Sequence, residues 1–410
     1  MTALPGFEER PDVDLVDGRF YAADGDMHAA LRWMRRHEPV YHDRANDLFA
    51  VTRHADIMAV SKRSDVFRNG QGYRPDAAPV PHMIAMDRPE HMRRRNLVNR
   101  GFTPRRVADC EIRVREICTH ILDAVAERGA CDFVRDVAAP LPLIVIGDLL
   151  GVDPEDHERL LGWSDDLMRG LGSKDPAKLA AQVKAGIEYR EYCLRVVADR
   201  RAKPPADDLM SVLVHAEIEG LRLDDDSLFM ESLLILIGGD ETTRHVISGG
   251  MRQLLLHPDQ QRALREDPSA IPRAVEEMLR WVTPIQNMMR TVAADAEVGG
   301  HRFLEGERLL LMYPSGNRDE AVFDDPFRFD VRRDPNPHVA FGGRGAHHCL
   351  GSSLARLELR VMFEELLRRL PDLELASSEP PELRPANFVV GIEALPVRFS
   401  PTRREGPARA

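Results

Sequence analysis

The segment Phe341-Gly-Gly-Arg-Gly-Ala-His-His-Cys349-Leu-Gly351 constrains this chain more than any other. Gly342, Gly343 and Gly345 let the backbone pass close to something flat or bulky, along paths that a side chain would block. An amphipathic helix follows at once, because Leu359, Met362, Phe363, Leu366, Leu367 and Leu370 recur at i, i+3, i+4, i+7, i+8 and i+11. The loop therefore delivers one sulfur, that of Cys349, to a helix N-terminus, where backbone N–H groups and the helix dipole favour a thiolate. A lone thiolate in a tight glycine loop suits a metal held by one protein bond, such as haem iron. Zinc held by His347, His348 and Cys349 is a poor alternative: adjacent ligands in one turn span a tetrahedron badly, and no second Cys/His cluster supplies the rest.

The rest of the sequence fits a globular protein. Of 410 residues, 43% are hydrophobic and 30% charged, too apolar for a disordered chain. The net charge of −11 disfavours nonspecific nucleic-acid binding, which needs Lys and Arg on phosphates. Residues 1–14 carry no signal-peptide pattern. The most apolar stretch, Val137 to Val152, is interrupted by Pro140, Pro142 and Asp148 and is not expected to span a membrane. A cytoplasmic location is the expectation. The five cysteines, Cys110, Cys118, Cys131, Cys193 and Cys349, are odd in number and lack CxxC spacing, which argues against a disulfide scaffold or a zinc ribbon. All but Cys349 read as small buried apolar residues.

Helical periodicity dominates. It predicts helices over Ala108–Arg128, Ala177–Arg201, about Ser227 to Leu256, and Ala274–Trp281. Asp153-Pro154-Glu155 reads as a helix start, Lys203-Pro204-Pro205 as a stop, and Asp207-Asp208 as the next start. Strand signals are confined to a hairpin around Asn46-Asp47 and to short alternating runs between Thr291 and Leu311, punctuated by Gly299-Gly300 and Glu305-Gly306. The loop from Tyr313 to Gly345 is too long for a mere connection and is expected to be functional. No linker divides the chain; residues 1–400 are expected to form one domain and 401–410 a disordered tail.

Three more segments carry chemistry. Ile237-Gly-Gly-Asp-Glu-Thr-Thr243 sets two helix-weakening glycines before acids and hydroxyls, which fits a helix opened beside a ligand or a crossing of two helices. Glu277 and Arg280 lie one turn apart, as in many surface ion pairs. His91 and Arg95 share a helix face within a run of arginines that also fits a basic surface patch.

Together with the Cys349 loop, these segments resemble cytochromes P450, in the order that family has them and over nearly the whole chain. The resemblance implies a mainly α fold, a triangular helical prism with a small β region, that binds haem b through Cys349. It implies that His91, Arg95, Arg290 and His347 meet the haem propionates, with Phe341, Gly342 and Gly351 around the sulfur. Glu241 and Thr242 match the family's acid–alcohol pair, which handles dioxygen and relays protons. Glu277, Arg280 and Arg333 match a buried network bracing the loop, and removing one member should strand a charge at a cost of several kcal/mol. One departure stands out: Phe341 lies eight residues before the cysteine, so the loop is one residue longer than the usual pattern.

The implied activity is insertion of one oxygen atom from dioxygen into a C–H bond. No dinucleotide fingerprint or iron–sulfur cysteine set is present, so a ferredoxin and its reductase would supply electrons, with Arg93, Arg94 and Arg100 part of a basic face for the donor. The wording of Leu233–His245, Glu276–Trp281, Cys131–Asp136 and Leu383–Phe388 resembles actinobacterial steroid side-chain oxidases acting on the terminal methyl of cholesterol or cholest-4-en-3-one. Candidate pocket residues are Met83, Ile84, Leu234, Ile237, Gly238, Val282, Ile285, Met288, Phe388 and Val389, mostly apolar side chains that equally suit plain core packing. The longer loop leaves open another lipid, terpenoid or polyketide substrate. A haem protein that only binds ligands is the remaining alternative, disfavoured by an intact Glu241 and Thr242.

Overall fold

The computed structural model describes residues 7–406 apart from 172, 174, 218, 219 and 221. Its axis is the 32-residue helix Asp225–Leu256, whose first turn is capped by Asp224 accepting from the Ser227 N–H at 2.8 Å. This helix packs against Pro140–Leu150, Ile271–Val282, Pro176–Ala202 and the last long helix, Ser352–Arg369. Close crossing needs small residues on the axis. A Cβ on Gly239 would run into Ile146, and one on Gly250 would sit 2.9 Å from Met278. Gly238, in contrast, opens onto empty space. Gly239 thus marks the helix crossing that the sequence allowed, while Gly238 borders a cavity. The helix itself stays α-helical throughout, so no opening of its backbone is seen.

The punctuation read from the sequence governs the other helices. Lys203 ends Pro176–Ala202, and the Asp208 carboxylate accepts from the Ser211 N–H to start Leu209–His215. Pro154–Asp156 forms a 3-10 turn that leads into His157–Gly170. The proline-broken apolar stretch becomes a π-turn at Val134–Ala138 followed by the buried helix Pro140–Leu150. Among the described residues no helix is long and apolar enough to cross a membrane.

The β structure is small. The antiparallel hairpin Val40–Asp43 and Leu48–Val51 joins Arg308–Met312 in parallel, and Asn287–Val292 then pairs antiparallel on its other side, with Phe67–Arg68 at the edge. Gly299 and Gly300, both at positive φ, turn the separate hairpin Ala296–Val298 and His301–Phe303. The largest apolar core lies among the helices, and two smaller ones flank the main sheet.

Residues 401–406 correct one expectation. They are not a loose tail: the Thr402 N–H donates to the Ala126 carbonyl at 2.8 Å, and Arg368 holds the Glu405 carboxylate at 2.6 Å. Residues 407–410 lie outside the described set.

Candidate active site

Helix Ser352–Arg369 and the loop before it place the Cys349 sulfur at the floor of a large cavity. The cysteine lies deep in the molecule, yet its surface is exposed, because it faces that cavity. The loop is held from behind. The Cys349 N–H donates to the Phe341 carbonyl at 3.0 Å, and the Arg356 guanidinium sits 4.5 Å from the Phe341 ring centroid. Gly342 takes a φ of +86°, a left-handed kink, and Phe341 lines the cavity. A side chain on Gly343 or Gly345 would collide with Ser61, on helix His54–Lys62. The close approach these two glycines permit is therefore to the chain's own helix; Gly351 is the one that opens toward the cavity. Burial pushes the Cys349 thiol up, against the opposing pull of the Gly351 N–H, Arg95 and Arg356.

Four cationic or imidazole side chains gather beside the sulfur. Arg95 donates to the His348 carbonyl at 2.6 Å and Arg290 to the Met289 carbonyl at 2.7 Å; neither meets a carboxylate among the described residues. His91 stacks on His347 with centroids 4.0 Å apart. Both ring nitrogens of His91 are buried without a hydrogen-bond partner. Burial first, then the neighbouring arginines, pulls His91 down to about 4 and His347 lower still, so the imidazoles are neutral donors and the arginines carry the charge. A buried guanidinium and a half-buried one, both without counter-ions, call for an anionic ligand. A flat dianion that also offers a metal to the Cys349 sulfur satisfies every group in the set, and haem fits. When bound, it supplies the oxidation chemistry, while a thiolate is the form of Cys349 that the metal requires. Among the described residues no cluster of three His, Cys, Asp or Glu side chains could hold a separate ion.

The helix Asp225–Leu256 forms one wall. Leu234, Ile237, Gly238 and Thr242 face the cavity, and the Thr242 hydroxyl donates to the Gly238 carbonyl at 2.9 Å. Glu241 does not face it. Its carboxylate is fully buried away from the cavity, paired with Arg244, with His245 at 3.1 Å and with Arg384 at 3.2 Å. Burial alone would raise this acid, but Arg244, His245 and Arg384 outweigh it and hold the carboxyl well below the usual range. The structure thus brings Thr242 to the cavity and turns Glu241 away from it, into a buried ion-pair network.

Met83, Ile84, Ile285, Met288, Phe388 and Val389 complete the apolar walls. Val282 is a correction: it packs against Gly249 and lines a different, polar cavity near Arg318. The helix Ile271–Val282 ends there, and Thr283 turns the chain with a φ of +43° before Ile285 reaches the main cavity. Arg94 is another, since it points inward to Glu231 at 3.3 Å and is no part of a basic outer face. Sequence reasoning missed Glu358, a buried carboxyl on the cavity wall, pushed up to about 8 by burial and then by Asp240. An acid between Leu357 and Leu359 on a helix this apolar is the available signal.

Behind the loop, Glu277 and Arg280 are completely buried and joined by two hydrogen bonds of 2.7 Å. Arg333 reaches the same carboxylate at 3.1 Å, and the Asp330 N–H and Asn336 add bonds of 2.9 and 3.2 Å. Arg280 also donates to the Asn317 and Pro326 carbonyls, tying the long loop to the helix.

Residues 165–399 match the family profile described as Cytochrome P450. The chain belongs to the cytochrome P450 family. This P450 is 53% identical to the steroid C26-monooxygenase of Mycolicibacterium smegmatis, over 96% of this chain and 97% of that one. A steroid C26-monooxygenase of Mycobacterium tuberculosis is 51% identical over 96% of this chain and 98% of its own. Among solved structures, a Mycobacterium marinum cytochrome P450 in complex with pseudoionone superposes with a TM-score of 0.88 at 35% identity, over 96% of this chain and 100% of that chain. The P450 is a haem-dependent monooxygenase with the family's mainly α fold.

Proposed function

We propose that this P450 oxidises the terminal methyl of a sterol side chain, with cholest-4-en-3-one or cholesterol as substrate, haem b as cofactor and a ferredoxin with its reductase as electron source. The observation that carries the reading is the cavity above Cys349. It runs from the Cys349 sulfur and the cluster of His91, Arg95, Arg290 and His347 to the apolar side chains Met83, Leu234, Ile285 and Phe388, so one part suits a charged cofactor and the other an apolar molecule. The walls offered to that molecule are apolar, as a hydrocarbon tail requires, and the names of the mycobacterial relatives point to the same end of the steroid. Five unpaired cysteines suit a reducing cytoplasm.

The chain's own part is binding, orientation and exclusion of water. Arg95, Arg290, His91 and His347 would hold the propionates, and Cys349 the iron. Thr242 would place a hydroxyl over the reacting face, and its Oγ1, already tied to the Gly238 carbonyl, can hold a proton there. Glu241, braced by Arg244 and Arg384, would position that part of the helix and reach the cavity only by leaving its partners.

Titration of the haem-loaded enzyme with cholest-4-en-3-one should shift the Soret band, and turnover with ferredoxin and reductase should yield a side-chain-hydroxylated product. A Soret response to terpenoids or fatty acids with none to sterols would move the substrate to another lipid class. Sterol binding without any oxidised product would make the protein a binder.

A further inference from the structure

One stretch of the cavity wall has few backbone bonds to the rest of the described molecule. Residues 82–86, including the 3-10 turn Met83–Ala85, carry Met83 and Ile84 into the cavity, but their backbone hydrogen bonds to one another and to Val80 are all local. Two side chains tie the turn's backbone to the rest of the described molecule. Asn69 donates to the Ile84 carbonyl at 2.9 Å, and the Met83 N–H donates to Glu231 Oε1 at 2.9 Å. Glu231 sits on the long helix three residues before Leu234, is fully buried, and shares the same oxygen with Arg94 at 3.3 Å. Its second oxygen is buried without a hydrogen-bond partner. A carboxylate held at this cost, facing an amide of the substrate wall, is more than packing accounts for.

We propose that Glu231 is a positioning residue for substrate: its carboxylate anchors the Met83–Ala85 turn to the long helix, so that Met83 and Ile84 close over the bound molecule. The identity of that molecule rests on the sterol reading above; the anchor does not. The charge on Glu231 sets the strength of the anchor, because an ionised oxygen is the better acceptor and the better partner for Arg94. Burial pushes Glu231 up to about 7, against Arg94 and the Met83 N–H. The wall is thus held tightly above neutral pH and loosened below it. The groups around it are Arg94 on helix Glu90–Asn99, His82 on the turn itself, Asp224 at the start of the long helix, and Tyr189 and Cys193, which bond to the adjacent Ser232. Burial pulls His82 down to about 4 and pushes Tyr189 and Cys193 up, while its own hydrogen bonds to Ser227 draw Asp224 down, so these four keep one form between pH 6 and 8.

Two variants of the haem-loaded enzyme test this. Glu231→Gln keeps an acceptor for Met83 and removes the charge; Glu231→Ala removes both. Hydrogen exchange, which needs no substrate, should show the Met83 amide exchanging about tenfold faster in the alanine variant and near the parent rate in the glutamine variant. The dissociation constant for cholest-4-en-3-one should weaken several-fold in the parent from pH 8 to pH 6 and be flat in Glu231→Gln. Unchanged Met83 exchange in Glu231→Ala would overturn the anchor, and so would a glutamine variant that keeps the parent's pH dependence. Should Glu231→Ala fail to fold, the glutamine pH profile decides alone. If sterol never binds but the exchange result holds, the substrate reading falls and the anchor stands.

Discussion

The two sides of the cavity are built by opposite rules. On the cysteine side the loop and its brace are over-determined: Glu277 receives bonds from Arg280, Arg333, Asp330 and Asn336, and Gly345 lies against the Ser61 backbone with no room for a methyl group. On the far side the Met83–Ala85 turn hangs from two side-chain hydrogen bonds. The difference follows from what each side must do. A metal-binding loop has one productive geometry, and buried charge networks cost too much to rearrange. A wall that admits a bulky apolar molecule has to part and close again, so it is drawn from the weakly tied end of the structure.

Gly345→Ala strikes the rigid side hardest. The added Cβ would overlap the Ser61 carbonyl, which belongs to helix backbone and cannot rotate away. Overpacking of this kind costs about 3 kcal/mol or more. The purified variant should carry little haem and show a strongly reduced absorbance near 450 nm when reduced under carbon monoxide, about tenfold or more below the parent. Normal haem content would show that the loop is more pliable than its packing indicates.

How much of this is legible in the sequence divides along the same line. Cys349, Glu277 with Arg280 and Arg333, and the His91–Arg95 pair stand out because each sets charged or reactive groups at spacings that, taken together, match one family's pattern, and the fold brings each set together. The suspended wall leaves no such trace. Glu231 is a single acid in an apolar helix and Asn69 a single amide in a loop, and their partners are backbone atoms far along the chain. Val282 is misplaced because its position in a segment that matches the family, and its apolar side chain, do not say which cavity it meets. Arg94 reads as surface charge for the complementary reason: the buried acid that draws it inward lies 137 positions away.

Asn69→Ala sharpens the comparison from the loose side. It removes the charge-independent tie and strands the Ile84 carbonyl, a loss of about 1 kcal/mol that should weaken binding of cholest-4-en-3-one about fivefold. The reduced carbon-monoxide spectrum should stay that of the parent, since among the described residues the bond this amide makes is to the Ile84 carbonyl and not to the cysteine loop. The pH dependence of binding should also keep its shape, because the Glu231 tie is intact. An Asn69→Ala protein that loses haem would mean the two sides are not mechanically separate.

The smallest effect is expected where the two sides meet, at Glu358. This acid sits on the helix that follows Cys349, faces the cavity, and has one oxygen buried without a partner. Its folded value is pushed from an ordinary 4.5 up to about 8, by burial first and by Asp240 second. Between those limits the folded protein holds a proton that the unfolded chain releases, so this group's contribution to stability is complete below about pH 4.5 and is lost as pH rises through 8. Glu358→Gln removes that dependence. Melting temperatures of the haem-loaded proteins should therefore fall more steeply for the parent than for the variant between pH 5 and pH 8, by a few degrees. Parallel curves would mean that solvent reaches Glu358 from the cavity and keeps its charge hydrated, which would place this stretch of wall with the mobile side of the molecule and not with the rigid one.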